Sequence, residues 1–298
     1  MPDVHPRLAI VTGAASGLGR AFCRQVIAAP GPWHVVAVDL DEANAQQTLA
    51  QIRQPGRVEV QCERFDVADA DAWSELRQRL QRDWPRLDLL VNCAGICMSA
   101  EVGDGALADW RRIHEVNYLG VLNACHVMTS WLKQSAALNP APPSPNPVTP
   151  RYSEGSGPPP KPALINIASI LGLLPAPALA AYSASKAAVI ALSEAMYAEL
   201  RPNGVNVTVA APGFFHTSLL DNGAFASQRH RDQADELVRT SLIDADSVAR
   251  ETLRASAQGR LYAVMGRRAR WFWRLKRGAP TALLNSLSHR YQRMMHGD

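Results

Sequence analysis

Tyr182 and Lys186 stand four residues apart, the spacing that puts two side chains on one face of a helix. A phenol with a pKa of about 10 is a poor base at neutral pH. A neighbouring ammonium favours the phenolate, which can then take a proton from an alcohol or return one to a carbonyl oxygen. Ser169 lies earlier in the chain, just after the apolar run Ala163–Ala168. That run reads as a strand, and the C-terminal ends of strands are where doubly wound folds bind ligands, so the Ser169 hydroxyl is placed to hold a substrate oxygen. The Tyr–Lys spacing is common in proteins, and its meaning depends on what surrounds it.

A second group of residues supplies that context. The run Thr12-Gly13-Ala14-Ala15-Ser16-Gly17-Leu18-Gly19 follows a strand pattern and opens a helix pattern. Glycines there let the chain turn tightly and bring the backbone N–H groups of Gly13, Ser16, Gly17, Leu18 and Gly19 against a pyrophosphate, and the helix N-terminus adds partial positive charge. Asp39 ends the second strand, where a carboxylate can bond both ribose hydroxyls of an adenosine and would repel a 2′-phosphate. The glycine loop holds no Arg or Lys, none immediately follows Asp39, and Arg20 falls inside the helix. This pattern favours NAD over NADP. Asp66-Val67 suits the edge of an adenine ring, and Asn92-Cys93-Ala94-Gly95 makes another small-residue turn. The positive charge of an oxidised nicotinamide would add to that of Lys186 in favouring a Tyr182 phenolate.

These groups need a frame, and the rest of the chain provides it. Strand patterns at Arg7–Thr12, His34–Val38, Arg57–Cys62, Leu87–Asn92, Ala163–Ala168, Val205–Ala211 and Leu261–Val264 alternate with helix patterns. The helices are expected at Leu18–Ala28, Glu42–Arg53, Ala70–Trp84, Ala106–Ser135, Tyr182–Leu200 and Asp244–Ala257. Alternation of this kind implies βαβ units and an α/β fold, a doubly wound, Rossmann-like parallel sheet of seven strands with helices on both faces. Such strands are apolar throughout, as in Val35-Val36-Ala37-Val38. Residues 1–265 read as one dinucleotide-binding and catalytic domain, and 266–298 as a basic, aromatic C-terminal extension. Residues 139–162 hold ten of the chain's 21 prolines, so they form a proline-rich excursion that is neither helix nor central strand. It is expected on the side of the sheet away from the cofactor.

Taken together, these residues resemble the short-chain dehydrogenase/reductase family. The likeness runs from Arg7 to about Val264, with its parts in the family's order and spacing. They are the glycine loop, Asp66-Val67, Asn92-x-Ala94-Gly95, Val116-Asn117, Ser169, Tyr182-x-x-x-Lys186, and Pro212-Gly213 followed by Thr217. The resemblance implies strand order 3-2-1-4-5-6-7. It also implies that Asn117 kinks its helix and supports a proton-relay water, and that Lys186 bonds the nicotinamide ribose. Pro212, Gly213 and Thr217 would complete the cofactor site, with the following segment as a substrate lid. The proline excursion and the long tail depart from the family pattern.

Composition narrows the remaining choices. Charged residues make up 19% of the chain and hydrophobic ones 47%, with a net charge of +4, ordinary values for a folded globular protein. Nucleic acid is not an expected partner. The five cysteines lack zinc-like pairing and read as reduced core thiols, and no metal site is expected. No signal peptide or membrane span is read, which points to a cytoplasmic protein. The lid residues Phe214, Phe215, His216, Leu219, Leu220 and Phe225 imply an apolar substrate, since no Arg or Lys occurs from Ala210 to Gln228. Nine of the 31 Lys/Arg residues but one of the 27 acids fall between Arg260 and Asp298. Mixed with Trp271, Phe272 and Trp273, they could meet an anionic membrane surface peripherally. Leu284, Leu287, Tyr291 and Met294 or Met295 at helical spacing favour packing on protein instead. The expectation is an NAD-dependent enzyme interconverting an alcohol, secondary or primary, and a carbonyl on an apolar substrate, working as a homodimer or homotetramer. An NADP-dependent carbonyl reductase and a non-catalytic, cofactor-bound scaffold at a membrane surface are the alternatives.

Overall fold

The structure is a computed structural model, and it describes residues 6–52, 58–138, 161–213, 215, 218–220, 223–239 and 243–296. Seven strands form one parallel sheet: β1 Arg7–Thr12, β2 Trp33–Val38, β3 Val58–Glu63, β4 Leu89–Asn92, β5 Ala163–Ile167, β6 Asn206–Ala211 and β7 Tyr262–Val264. Their spatial order is 3-2-1-4-5-6-7, as the resemblance implies. The continuous apolar runs have a simple cause. Leu8 and Ile10 of β1, with Val36 and Val38 of β2, pack into one layer, while Ala9, Val11, Val35 and Ala37 pack into the other. Side chains of a strand alternate between faces, so a sheet covered on both sides needs apolar residues at every position.

Helix α1 (Gly17–Ala28) buries Leu18, Phe22 and Val26, one per turn, against the sheet. Helix α2 is Glu42–Ile52. Helix α3 (Ala70–Asp83) is capped by Asp69, which accepts from Asp71 and Ala72 N–H groups, and it buries Trp73, Leu76 and Leu80. A long rod follows in three pieces, α4 Leu107–His114, a π-turn Glu115–Leu119 and α5 Gly120–Leu138. Short α6 (Ile170–Leu173) precedes α7 (Ala180–Leu200), which begins two residues before the sequence pattern does. Helix α8 (Gln228–Arg239) stands by residues 98–99 and 224–225, and α9 (Ala245–Ala257) packs beside α1, where Arg24 pairs with Asp246 at 2.6 Å. A two-residue ribbon, Met98–Ser99 beside Ala224–Phe225, stands apart from the main sheet.

All seven strands point the same way, so the turns after β1, β2, β4, β5 and β6 gather at one edge. The proline excursion leaves and returns at the opposite edge. Ser135, near the end of α5, accepts from the Leu87 N–H at 2.8 Å, and the Pro162 carbonyl accepts from the Asn206 N–H at 2.9 Å. Residues 139–160 themselves lie outside the described residues.

The extension forms two helices, α10 Arg267–Gly278 and α11 Pro280–His296. They fold back on the chain. The Trp273 ring stands 5.0 Å from that of Tyr262, Lys276 Nζ donates to the Leu173 carbonyl at 2.6 Å, and the Tyr291 hydroxyl donates to Glu101. Leu283 is buried, whereas Leu284 is largely exposed. Among the described residues no helix is long and apolar enough to cross a membrane.

Candidate active site

A cleft of about 740 Å³ runs along the edge where the strands end. At one end lies the glycine turn. Gly13 adopts φ +67°, and a Cβ there would stand 3.0 Å from the Ala94 backbone, so the turns after β1 and β4 touch only because Gly13 has no side chain. Thr12 ties them further, its hydroxyl accepting from the Cys93 and Ala94 N–H groups at 2.9 Å each. Ser16 stands at the N-cap of α1 without capping it by its side chain, and the first turn carries no acid. The helix start therefore presents its N–H groups to the cleft with no competing anion. Asp39 accepts from the Ala15 N–H at 2.9 Å and the Asp41 N–H at 3.1 Å, and among the described residues it makes no ion pair. Arg20 turns away to the Ala15 carbonyl and Asn44. These groups fit a pyrophosphate and an adenosine ribose.

Asp66 and Val67 line the same end of the cleft, Asp66 paired with Arg112 and Val67 giving its carbonyl to the Trp73 indole at 3.0 Å. Ala94, Gly95, Pro212 and Gly213 line its middle. Asn92 does not reach the cleft. It is buried between strands, donating to Asn166 Oδ1 at 2.8 Å, and Asn166 in turn donates to Ser193. Its position supports a structural brace joining β4, β5 and α7. Thr217, with Phe214 and His216, lies outside the described residues.

Tyr182, Ser169 and Lys186 line the cleft together. Ser169 ends β5 and caps α6, accepting from the Leu171 N–H at 3.1 Å. Tyr182 lies in the first turn of α7 and is buried. Burial pushes its phenol well above the ordinary value, the nearby Cys97 adds to that, and a hydrogen bond with Ser169 works the other way. Lys186 Nζ donates to the Ile167 carbonyl at 2.9 Å and stands 5.9 Å from the centre of the Tyr182 ring. Burial draws the Lys186 ammonium down to about 8. The expected push toward the phenolate combines this ammonium with the positive charge of an oxidised nicotinamide; in the protein alone, burial opposes it. The Lys186 charge is spent on a backbone carbonyl, and desolvation opposes ionisation of both groups.

Asn117 sits in the π-turn behind the cleft wall and is fully buried. Its Oδ1 accepts from the Ile96 N–H at 2.8 Å, and its Nδ2 donates to the Ile96 carbonyl at 3.0 Å and to Ser185 at 3.1 Å. Ser185 then donates to the Tyr182 carbonyl at 2.7 Å. The helix is distorted here, as the resemblance implies. Ser185, which sequence reasoning passed over, links Asn117 to the Tyr182 backbone. Gly95 completes the wall: a Cβ there would meet Asn117 Oδ1 at 3.1 Å and Lys186 Nζ at 3.3 Å.

The far half of the cleft is apolar. Phe215, Leu219 and Leu220 line it as expected of a lid, while Phe225 instead joins the small ribbon beneath Arg231. Ile170, Leu171 and the segment 174–179 form a second wall, in which Ala178 adopts φ +57°. The tail forms a third through Ala269, Phe272, Leu287 and Tyr291. His230 of α8 also lines this half, though nothing in the polar sequence of α8 marked it. Cys23, Cys97 and Cys125 are buried, Cys62 and Cys93 half-buried, and all five are free. Among the described residues no group of three or more His, Cys, Asp or Glu could hold a metal ion.

The short chain dehydrogenase family matches residues 7–137 and 160–225. An uncharacterised oxidoreductase of Staphylococcus saprophyticus is 28% identical over 236 residues, 79% of this chain and 89% of the relative. The cyclopentanol dehydrogenase of a Comamonas strain is 29% identical over 231 residues, 78% of this chain and 82% of the relative. Among solved structures, a short chain dehydrogenase/reductase from Burkholderia phymatum in complex with NAD has a TM-score of 0.77 at 25% identity, covering 93% of this chain and 95% of its own. The family match takes in every strand but the last, the glycine turn and the Ser169–Tyr182–Lys186 wall, and on that ground the chain belongs to the short chain dehydrogenase family of oxidoreductases.

Proposed function

We propose that the protein is an NAD-dependent oxidoreductase that interconverts an alcohol, secondary or primary, and the matching carbonyl on an apolar substrate. One observation carries the reading: Tyr182, Ser169 and Lys186 share a single cleft whose other end holds the N-terminus of α1 and Asp39, which makes no ion pair among the described residues. Asp39 would accept hydrogen bonds from both ribose hydroxyls and disfavour a 2′-phosphate. The N–H groups of Ser16, Gly17, Leu18 and Gly19 would hold the pyrophosphate. A nicotinamide cofactor held there would supply the hydride acceptor for the alcohol carbon or, reduced, the hydride donor for the carbonyl carbon.

The chain's own residues handle the proton. Ser169 Oγ holds the substrate oxygen, and Tyr182 Oη takes its proton during oxidation and gives it back during reduction. Because burial raises the Tyr182 pKa, the resting phenol is an acid ready to donate, and oxidation should be favoured by raised pH. Lys186 would bond the nicotinamide ribose, and Asn117 would hold the start of α7 through Ser185 and support a relay water. The apolar far half excludes water and accepts a hydrophobic substrate body.

The protein is further proposed to act in the cytoplasm as a homo-oligomer. Val102, Leu107 and Leu119 are exposed apolar side chains along the α4 stretch and supply a surface for subunit contact. A panel of apolar ketones with NADH and NADPH, and of the matching alcohols with NAD and NADP, tests the reaction. Turnover with NAD or NADH is expected. Cofactor binding without turnover of any member would overturn it.

A further inference from the structure

His230 lies in the first turn of α8 and is 6% exposed, with its ring on the wall of the apolar half of the cleft. Its Nδ1 stands 3.1 Å from Ser227 Oγ. Ser227 Oγ is also the acceptor for the His230 backbone N–H, at 3.4 Å. A Ser hydroxyl offers one proton and two lone pairs, so it can accept the backbone N–H and still donate to Nδ1; we assign that tautomer, which places the ring proton on Nε2. That Nε2 is buried and has no partner. Among the described residues, it is the one buried, unpartnered side-chain polar atom whose residue lines the cleft. Among the described lining residues, the Tyr291 hydroxyl donates to Glu101, and Ser169 and Tyr182 belong to the reacting end. A buried donor without an acceptor is costly, and native proteins seldom keep one without a use.

We infer that His230 Nε2 is a specificity-determining contact for a second oxygen atom on the substrate, remote from the carbon that reacts. The inference rests on the alcohol–carbonyl reading of the same cleft. The substrate class is then an apolar molecule with two oxygen functions. One is the alcohol or ketone held by Ser169 and Tyr182, and the other is a carbonyl or hydroxyl oxygen that accepts from His230. A purely hydrocarbon tail would fill the cleft but leave Nε2 unsatisfied. Sites built around a buried hydrogen bond discriminate strongly against ligands that lack it.

The test uses 2-alkanols of graded chain length and the same alcohols carrying a ketone at the far end. In the wild type, kcat/KM for the oxygenated member should exceed that for the plain member roughly tenfold or more at the chain length that spans the cleft. His230→Leu should collapse that ratio, and His230→Gln, which keeps a side-chain N–H, should restore part of it. The ratio is also measured as binding, by calorimetry of the matching ketones on the NAD-loaded protein, where no hydride is available to react, so a folded but inactive variant still reports. A wild-type ratio near one at every chain length overturns the inference and leaves the proposed reaction standing. A clear binding ratio without any turnover upholds the contact and overturns the reaction. A ratio that survives in His230→Leu places the recognition elsewhere and also overturns it.

Discussion

Replacing Lys186 by Met should make the cofactor-free protein more stable while destroying its activity. Lys186 is 3% exposed, and burial lowers its pKa from 10.5 to about 8. The unfolded chain therefore binds a proton at this residue more tightly than the folded one. The sign follows: the cost is full below about pH 8, shrinks as pH rises from about 8 toward 10.5, and is gone above that. A lowering of this size corresponds to about 3 kcal/mol at neutral pH. Against it stands the bond from Lys186 to the Ile167 carbonyl, whose loss leaves a buried acceptor at a cost of about 1–2 kcal/mol. The variant should thus gain about 1–2 kcal/mol at pH 7, and roughly 1 kcal/mol of that advantage should vanish by pH 9. Cys23, Cys97, Cys125 and Tyr182 are buried and Cys93 half-buried, all with raised pKa values, so they pull stability down at alkaline pH. The Lys186 charge acts on Cys93 and Cys97, but both thiols stay protonated in the folded chain at pH 7 and pH 9, so over that range the difference between variant and wild type isolates Lys186. Urea unfolding at the two pH values measures it. A variant that is less stable at pH 7, or a difference independent of pH, would refute the reasoning.

Tyr182→Phe should cut turnover by about 10²–10⁴-fold, the usual worth of a general acid–base group, while NADH binding followed by fluorescence stays intact; undiminished turnover would remove Tyr182 from the mechanism. Asp39→Ala combined with Leu40→Arg should weaken NAD by about 10–100-fold, the worth of charge-assisted hydrogen bonds, and favour NADP, because Leu40 lines the cleft and is half exposed. Equal use of NAD and NADP by the wild type would contradict this reading of Asp39. Truncation after Gly266 removes Ala269, Phe272, Leu287 and Tyr291 from the cleft wall and should raise KM for bulky apolar substrates about tenfold or more. A short soluble alcohol should be spared, and Leu287→Ala should show a milder form of the same split; equal losses on both substrates would argue against a wall.

The sheet was legible because each strand is buried on both faces and so reads as an unbroken apolar run. Val35-Val36-Ala37-Val38 left little room for another assignment. The glycine turn and the Ser169–Tyr182–Lys186 set were legible because their chemistry depends on backbone conformation and spacing, which a sequence records directly. What was hidden depends on long-range packing. Helix α8 reads as a solvated stretch of Arg, Gln, Asp and Glu, and nothing local signals that His230 turns inward. Asn92 has the right address for a cofactor contact, yet its amide braces two strands. In the tail, helical spacing marked Leu287 and Tyr291 correctly but could not tell that Leu283, rather than Leu284, faces inward. The burial shifts of Tyr182 and Lys186 were not legible because desolvation is a property of the folded surroundings.

The family match ends at residue 225, and this divides the cleft in an informative way. The groups assigned to chemistry and cofactor lie before that point, whereas His230, Ala234, Ala269, Phe272, Leu287 and Tyr291 lie after it. The proposed substrate end therefore draws its walls from both sides of residue 225: Phe215, Leu219 and Leu220 fall inside the match, and the closing helices fall outside it. A change in those helices would reshape one wall of that end and leave Ser169, Tyr182 and Lys186 where they stand.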